Sequence, residues 1–351
     1  MRGYTVDVVA GDGIGPEVVP AAISCVDAVA ALRGFKVEWR HREWGSQYYR
    51  DHGRMMPVDG LDQLASGDAI LLGAVGSPDI PDDVTLWGLL IPIRRGFEQY
   101  VNLRPVRTLP GVESPLKHCE LDMIIVRENV EGEYSAVGGR VSSGGRTDFA
   151  LQEAVFTRSG IERVTRYAIE LAKARSRRLV SATKSNGIVH TMPFWDEVVR
   201  ECVDATDDVT LESVLIDALA ARMVLHPASV DVVVASNLFG DILSDLAAAV
   251  AGSLGVAPSG NLNPQRKHPS MFEPVHGSAP DFAGKGIANP VGQVWAAALM
   301  LDHLGEHEAS NLLVKAFESA LGDGVRTRDL GGNATTEEVT AAVVARCVPR
   351  E

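Results

Sequence analysis

The sequence predicts a two-lobed α/β protein, and three observations carry that expectation. The chain has 351 residues, enough to bury a large core and to divide into two lobes. Hydrophobic residues make up 46% of it and charged residues 23%, ordinary values for a soluble α/β protein. Short β-branched apolar runs alternate with segments of helical period, and no internal repeat or low-complexity tract interrupts them.

Residues 4–32, YTVDVVAGDGIGPEVVPAAISCVDAVAAL, read as strand, Gly-rich turn and helix. The turn lacks the third glycine of a dinucleotide fingerprint, and the next strand, Phe35–Arg40, ends in basic residues instead of an acidic ribose ligand. An ordinary Rossmann site is therefore rejected. Gly11, Gly13 and Gly15 still permit close backbone approach to a cofactor. Residues 68–78 form a second buried strand ending in a Gly-rich loop. In VTLWGLLIPIRRGFEQYVNLRPVR, Arg94 follows a helical pattern, whereas Arg104 precedes Pro105 and is expected to be extended. Single arginines are ordinarily surface ion pairs. Arg94 and Arg104 sit among Leu, Ile, Tyr and Val, where an unpaired guanidinium needs an anion.

The strand Met123–Val126 runs into Arg127, a third candidate carboxylate clamp, and then into a charged turn holding Tyr134. Tyr134 reads as either a core aromatic or a general acid. Residues 140–160 are polar and Gly/Ser-rich, the pattern of a protruding hairpin or arm. Ser159 and Glu162 stand in capping-box register at the head of the next helix. A strand then delivers Lys184. A lysine at such a turn is ordinarily solvated, but beside carboxylates and away from water it serves as a base.

Three carboxylates stand out. Asp217 closes a strand predicted over Val209–Ile216, before a helix that stops at Pro227. Val232–Val234 form another strand, Ser236, Asn237 and Gly240 break it, and Asp241 opens a helical segment, DILSDLAAAVAGSL. Asp241 and Asp245 are four apart and project from one helix face. They complement the helix dipole as an acidic first turn, or they flank a cation. With Asp217 they would make an all-oxygen site suited to Mg²⁺ or Mn²⁺ and not to Zn²⁺. Beyond residue 254, GVAPSGNLNPQ reads as loop and residues 271–290 as a long irregular segment rich in small residues. That segment is a candidate cofactor cradle holding His276 and Asp281. Helices are expected from Val291, over Asn311–Leu321 and over Thr336–Cys347.

The formal charge of −13 argues against nonspecific nucleic-acid binding, and any anionic substrate must be captured by a local arginine cluster. Cys25, Cys119, Cys202 and Cys347 form no metal or redox motif and read as buried small hydrophobes in a reducing cytosol. The N-terminus lacks a signal-peptide core, and no stretch offers the ~20 uninterrupted apolar residues of a membrane span. A cytoplasmic protein without membrane contact is expected.

Together GDGIGPE, NLRPVR, VRENVEGEY, TKSN, SNLFGDILSD, EPVHGSAPDFAGKGIANP and DLGGNATTEEV resemble the β-decarboxylating 2-hydroxyacid dehydrogenases, in family order and nearly end to end. That family includes isocitrate, 3-isopropylmalate, homoisocitrate and tartrate/D-malate dehydrogenases. The resemblance implies the family's two-lobed fold with a non-Rossmann NAD site. Residues 1–100 and 255–351 would form the cofactor-binding lobe, and 101–254 the substrate, metal and dimerisation lobe. It implies a homodimer with shared active sites acting on a small 2-hydroxy dicarboxylate, with NAD, Mg²⁺ or Mn²⁺, and K⁺ as a candidate monovalent ion.

Residue by residue, the resemblance gives Arg94, Arg104 and Arg127 to the substrate carboxylates. Asp241 and Asp245 would hold the metal, joined by Asp217 of the other subunit. Lys184, also from the partner chain, would act as base, and Tyr134 would protonate the enol. His276, Gly277, Ser278, Ala279 and Pro280 would meet the adenosine half of the cofactor, with Asn289 near adenine and Ile14 and Ala74 as further contacts. Asp281 would select NAD by bonding ribose hydroxyls and repelling a 2′-phosphate. Isopropylmalate enzymes place an acidic residue and two leucines before the first arginine, whereas this chain has Trp87, and LWGLLIPIRR is similar to tartrate/D-malate dehydrogenases. Trp87 and Leu90 are accordingly expected at the substrate, with Trp87 filling the space an isopropyl group would take. The alternatives are a 3-isopropylmalate dehydrogenase and a catalytically silent regulatory paralogue. Retention of Asp217, Asp241, Asp245, Lys184 and Tyr134 speaks against the second.

Overall fold

Among the described residues twelve strands are laid down, and ten of them join one sheet. The computed structural model describes residues 2–117, 120–142 and 144–347, so Cys119 lies outside the described residues. The strands are β1 (Arg2–Gly11), β2 (Phe35–His41), β3 (Ala69–Ala74), β4 (Val101–Arg107), β5 (Asp122–Glu128), β6 (Gly138–Val141), β7 (Phe149–Gln152), β8 (Arg178–Thr183), β9 (Thr210–Leu215), β10 (Val232–Ala235), β11 (Pro258–Leu262) and β12 (Ser270–Pro274). The sheet order is β2-β1-β3-β12-β11-β4-β5-β10-β8-β9, with β6 and β7 pairing separately as an antiparallel ribbon. Parallel wings flank an antiparallel centre, in which β12, β11, β4 and β5 alternate in direction. The α/β expectation holds. Strands up to residue 74 and from 258 onward build one half of the sheet, and β4, β5, β8, β9 and β10 build the other.

The buried strands are buried for the expected reason. Ala69–Ala74 and Val232–Ala235 are apolar throughout and covered on both faces, as parallel strands require. Helices Gly15–Arg33, Val291–Leu304, His307–Gly322 and Thr336–Cys347 pack together over the first wing. Helix Arg158–Ala174 covers β5, β8 and β10. Gly15–Arg33 is the described helix long and apolar enough to cross a membrane by length and composition. Half of its apolar window is buried inside the fold, and it carries Glu17, Asp27 and Arg33. Cys25, Cys202 and Cys347 are buried free thiols.

Several local expectations are corrected. GVAPSGNLNPQ and the start of the 271–290 segment are not loop: they contain β11 and β12, both fully buried. Asn, Pro and Gly discouraged a strand reading. Here the polar side chains are satisfied within the sheet: Asn261 accepts from Asn102 and Asn129 at 2.9 Å and donates to Glu273 at 2.8 Å. The helix cap is Thr157 and not Ser159, because the Thr157 Oγ1 accepts from the Gly160 amide at 3.0 Å while bonding Glu131. Asp217 lies inside the first turn of helix Ile216–Leu225, not at the end of β9.

Candidate active site

Three arginines converge because of strand alternation and one helix. In the β4–β5 ladder Asn102 pairs with Arg127, so Arg104, two residues further on, lies on the same face as Arg127. Beyond Leu103, β4 has no ladder partner in β11, which leaves room for Pro105. Arg94 comes from helix Ile91–Gly96. All three are buried, at 8%, 7% and 3% exposure for Arg94, Arg104 and Arg127. They line a cavity of about 140 Å³ with Leu86, Ile91, Arg95, Asn129, Val130, Tyr134, Asn237 and Asp241. That volume is far below the ~300 Å³ of a drug-sized pocket and suits a small polar molecule.

Each guanidinium is held from behind. Arg94 donates to Glu273 at 2.9 Å, and Glu273 in turn accepts from Asn261. Arg104 donates to Ser244 at 2.6 Å and Asp245 at 3.2 Å, and lies 3.3 Å from Asp241. Arg127 donates to Asn237 at 2.6 Å and makes a very short ion pair with Asp241. The buried Nε atoms of Arg94 and Arg104 have no hydrogen-bond partner among the described residues. Buried donors of that kind call for an anionic acceptor. Burial and the neighbouring Arg104 lower the Arg127 pKa to about 10, against the pull of Asp241.

The carboxylates ride on helix Asn237–Ala251, which begins four residues earlier than expected. Asp241 and Asp245 are therefore not an acidic first turn. The helix start is occupied instead by Ser236 and by Glu133, whose carboxylate accepts from the Ser236 hydroxyl at 2.7 Å and the Leu238 amide at 3.1 Å. Gly240 is required at the contact with β5, since a Cβ there would stand 2.5 Å from the Cβ of Arg127. Burial alone would raise Asp241, but Arg127 and Arg104 hold its carboxyl below the ordinary range. Asp245 is raised by burial, with Arg104 opposing and Asp241 adding to the rise. Two close carboxylates with oxygen donors fit a hard divalent cation. Among the described residues no third His, Cys, Asp or Glu of this chain joins them in a metal-sized group.

Asp217 and Lys184 sit apart from that pair, bonded to each other at 2.6 Å. The Lys184 hydrogen bond holds Asp217 below its ordinary pKa. Within one chain the structure thus makes two groups: the arginine cavity with Asp241 and Asp245, and the Lys184–Asp217 pair. Tyr134 belongs to the first. Its hydroxyl donates to Asp241 at 3.1 Å, and its ring lies 5.5 Å from the Arg127 guanidinium. Burial, then Asp241, raises the phenol pKa.

Trp87 and Leu90 do not line the cavity. Residues Leu86–Leu90 form a π-helical turn, in which the Ile91 amide bonds the Leu86 carbonyl. The five-residue step brings Leu86 and Ile91 to the cavity wall in their place and accommodates Pro92 inside the helix. Trp87 is 37% exposed, and Leu90 packs on a neighbouring apolar cluster. Sequence reading also passed over Arg95, Asn129, Asn237, Ser244 and Glu273. Of these, Glu273 lies inside a strand and Asn129 just beyond one, and a polar residue beside an apolar run was the available signal for both; Arg95, Asn237 and Ser244 are helical and carried none.

A second cavity, of about 560 Å³, is lined by Ile14, Ser253, Leu254, Gly255, His276, Phe282, Ile287, Ala288, Asn289, Arg328 and Asp329. Three of the expected cofactor residues, Ile14, His276 and Asn289, are in this wall. The loop from Gly277 to Asp281 adjoins it, while Ala74 is buried beneath the first turn and accepts from the Asp12 amide at 2.6 Å. A Cβ on Gly13 would collide with the Ser278 carbonyl, so the two Gly-rich loops meet in backbone contact. Glu17 ties the far side of the loop through the Gly284 and Gly286 amides. The Nε2 of His276 is buried with no partner among the described residues, and burial lowers the imidazole pKa, which favours the neutral ring. Asn289 donates to Asp329 at 2.9 Å. An apolar slot with one unpartnered imidazole nitrogen and the Asn289 amide fits the adenosine part of a dinucleotide.

Residues 5–343 match the family model described as isocitrate/isopropylmalate dehydrogenase. A probable tartrate dehydrogenase/decarboxylase of Agrobacterium vitis is 51% identical over 348 residues, spanning 98% of this chain and 97% of the relative. The D-malate dehydrogenase (decarboxylating) of Escherichia coli K12 is 50% identical over 354 residues, spanning 98% of each chain. Isocitrate dehydrogenase from Methylococcus capsulatus superposes with a TM-score of 0.89 at 32% identity, over 98% of this chain and 99% of that one.

Glu128 follows Arg127 and is 1% exposed. Its Oε2 accepts from the Val130 and Glu131 amides at 3.0 and 2.7 Å, but burial outweighs them and raises the pKa to about 7. The folded state therefore binds the proton more tightly than the unfolded chain, and this group's stabilising contribution is lost as pH rises from about 4.5 through about 7. Glu128→Gln should match wild type at pH 4.5 and exceed it at pH 8 by roughly 3 kcal/mol in urea unfolding. A variant whose stability follows the wild-type pH curve throughout would contradict this.

Proposed function

The chain belongs to the isocitrate/isopropylmalate dehydrogenase family, and on that premise we propose that it is an NAD-dependent, divalent-metal-dependent dehydrogenase of D-malate and tartrate. D-malate is oxidised and decarboxylated to pyruvate and CO₂; tartrate is oxidised, with or without decarboxylation. The observation that carries this reading is the arginine cavity. It offers three buried guanidiniums to two carboxylates within about 140 Å³, a space suited to a four-carbon diacid.

The chain's own groups have these roles. Arg94, Arg104 and Arg127 bind the substrate carboxylates and fix the reacting carbons. Lys184 takes the proton of the 2-hydroxyl. Tyr134, kept protonated by its raised pKa, gives a proton to C3 after the C3–C4 bond breaks and CO₂ leaves. Asp241 and Asp245 hold Mg²⁺ or Mn²⁺ with Asp217 of a second subunit, and the slot beside His276 and Asn289 holds NAD. When bound, the cation would supply Lewis-acid polarisation of the substrate oxygen, and the nicotinamide would supply the hydride acceptor for C2. Residues 1–100 and 255–351 serve as the cofactor lobe, and 101–254 as the substrate and dimer lobe.

A homodimer with shared sites is the assembly this reading requires, because Lys184 and Asp217 lie apart from the cavity they serve. Exposed apolar side chains support it: Ile242 at 52% beside Asp241, Leu225 at 69% on the Asp217 helix, and Phe149 at 60% on the β6–β7 ribbon. The reduced, buried cysteines support a cytoplasmic location.

Initial NADH formation with D-malate, (+)-tartrate, 3-isopropylmalate and isocitrate, in Mn²⁺ and K⁺, tests the substrate reading. The expected result is the highest kcat/KM for D-malate or tartrate; a tenfold or greater advantage for isopropylmalate overturns it. Asp281→Lys should reduce the NAD/NADP preference by about tenfold, the worth of one charge contact of ~1.4 kcal/mol. An unchanged ratio would put the adenosine ribose elsewhere.

A further inference from the structure

We propose that Arg95 is a positioning residue for Tyr134, and that Trp87 acts on the reaction through Arg95. Among the described residues Arg95 is the cavity arginine without a carboxylate partner: Arg94 has Glu273, and Arg104 and Arg127 share Asp241. A partly buried guanidinium in that position must be satisfied otherwise. Its centre lies 5.2 Å from the Trp87 ring centroid, within cation–π range, and its Nη2 donates to the Tyr134 carbonyl at 2.5 Å. The planar guanidinium can stack on one partner while its edge bonds another, which an ammonium does less well.

This contact closes a frame around Tyr134. One residue earlier, Glu133 binds the start of helix Asn237–Ala251, so the loop is tied to the helix that bears Asp241. At Tyr134 itself, Arg95 ties the loop to the Leu86–Leu90 turn and helix Ile91–Gly96 across the cavity. The phenol then meets Asp241 at 3.1 Å. Without Arg95 the tie across the cavity is lost; Glu133, and the Ser135 contacts with Gln152 and Glu153, still hold the loop on its other side, and the phenol is free to shift from its place. Trp87 thus influences catalysis from outside the cavity wall, as the platform that holds Arg95.

The consequence rests on the proposed reaction. Carbon protonation breaks the phenolic O–H bond and forms a C3–H bond from the enolate π pair; the phenolate then recovers a proton from solvent. This step follows NADH formation. Arg95→Met should leave the first-turnover NADH burst with D-malate intact and lower steady-state kcat by up to about 10²-fold, the scale of a small misplacement, with KM changed by less than about threefold. Arg95→Lys, which keeps a cation and a donor, should recover part of kcat. Trp87→Ala should lower kcat in the same way, and more than Trp87→Phe, which keeps an aromatic platform.

A rise in KM with kcat intact would mean that Arg95 binds substrate directly, and slowing of the burst itself would place it in hydride transfer; either overturns the proposal. Hydrogen–deuterium exchange of residues 130–136 supplies a reading independent of substrate. Faster exchange in Arg95→Met is expected, and unchanged exchange overturns the positioning role. If wild type does not turn over D-malate while exchange responds as expected, the substrate reading falls and the role of Arg95 stands.

Discussion

Three guanidiniums buried side by side are the constraint on which the rest of the site depends. Positive charge in a low-dielectric cavity is costly unless anions and acceptors surround it. The fold meets that demand with Glu273 behind Arg94, Asp241 between Arg104 and Arg127, and Asp245 and Ser244 on Arg104. On the proposed reading Asp241 and Asp245 have a second use as cation ligands. The Asp241 helix must therefore lie close to the arginine strands, and Gly240 permits that approach. A small anionic substrate would complete the balance by meeting the Arg94 and Arg104 donors that the protein leaves open.

This arrangement draws the antiparallel centre of the sheet into the site. Arg94 depends on Glu273 in β12, which depends on Asn261 in β11, which is bonded to Asn102 in β4 and to Asn129 just beyond β5. The chain of amides crosses the junction between the two halves of the sheet. Polar residues there do the work that apolar packing does in the wings: they fix strand register and hold the first arginine at once.

That junction is also where sequence reading failed. The strands at Ala69–Ala74 and Val232–Ala235 were legible because unbroken apolar runs announce burial on both faces. β11 and β12 were not, because a buried asparagine, proline or glycine looks like a loop until its partners in β3, β4 and at Asn129, more than a hundred residues away, are known. The arginines, the two helix carboxylates and Tyr134 were legible as a set only through their resemblance to a family; spacing alone left each with an ordinary reading. Trp87 was singled out for its size and position, yet a π-turn rotates it off the cavity. Five-residue hydrogen bonding leaves no mark in hydrophobic periodicity.

On the proposed reading one chain holds two incomplete halves of a site: the arginine cavity with Asp241 and Asp245, and the Lys184–Asp217 pair. Subunit complementation tests it most directly. Asp245→Asn and Asp217→Asn chains, each inactive alone, are dissociated, mixed and reassembled. Recovery of about a quarter of wild-type NADH formation is expected, since half the dimers are mixed and each holds one intact site. No recovery, with mixed dimers shown to form, would mean that each chain builds its site alone, and the shared-site account would be wrong.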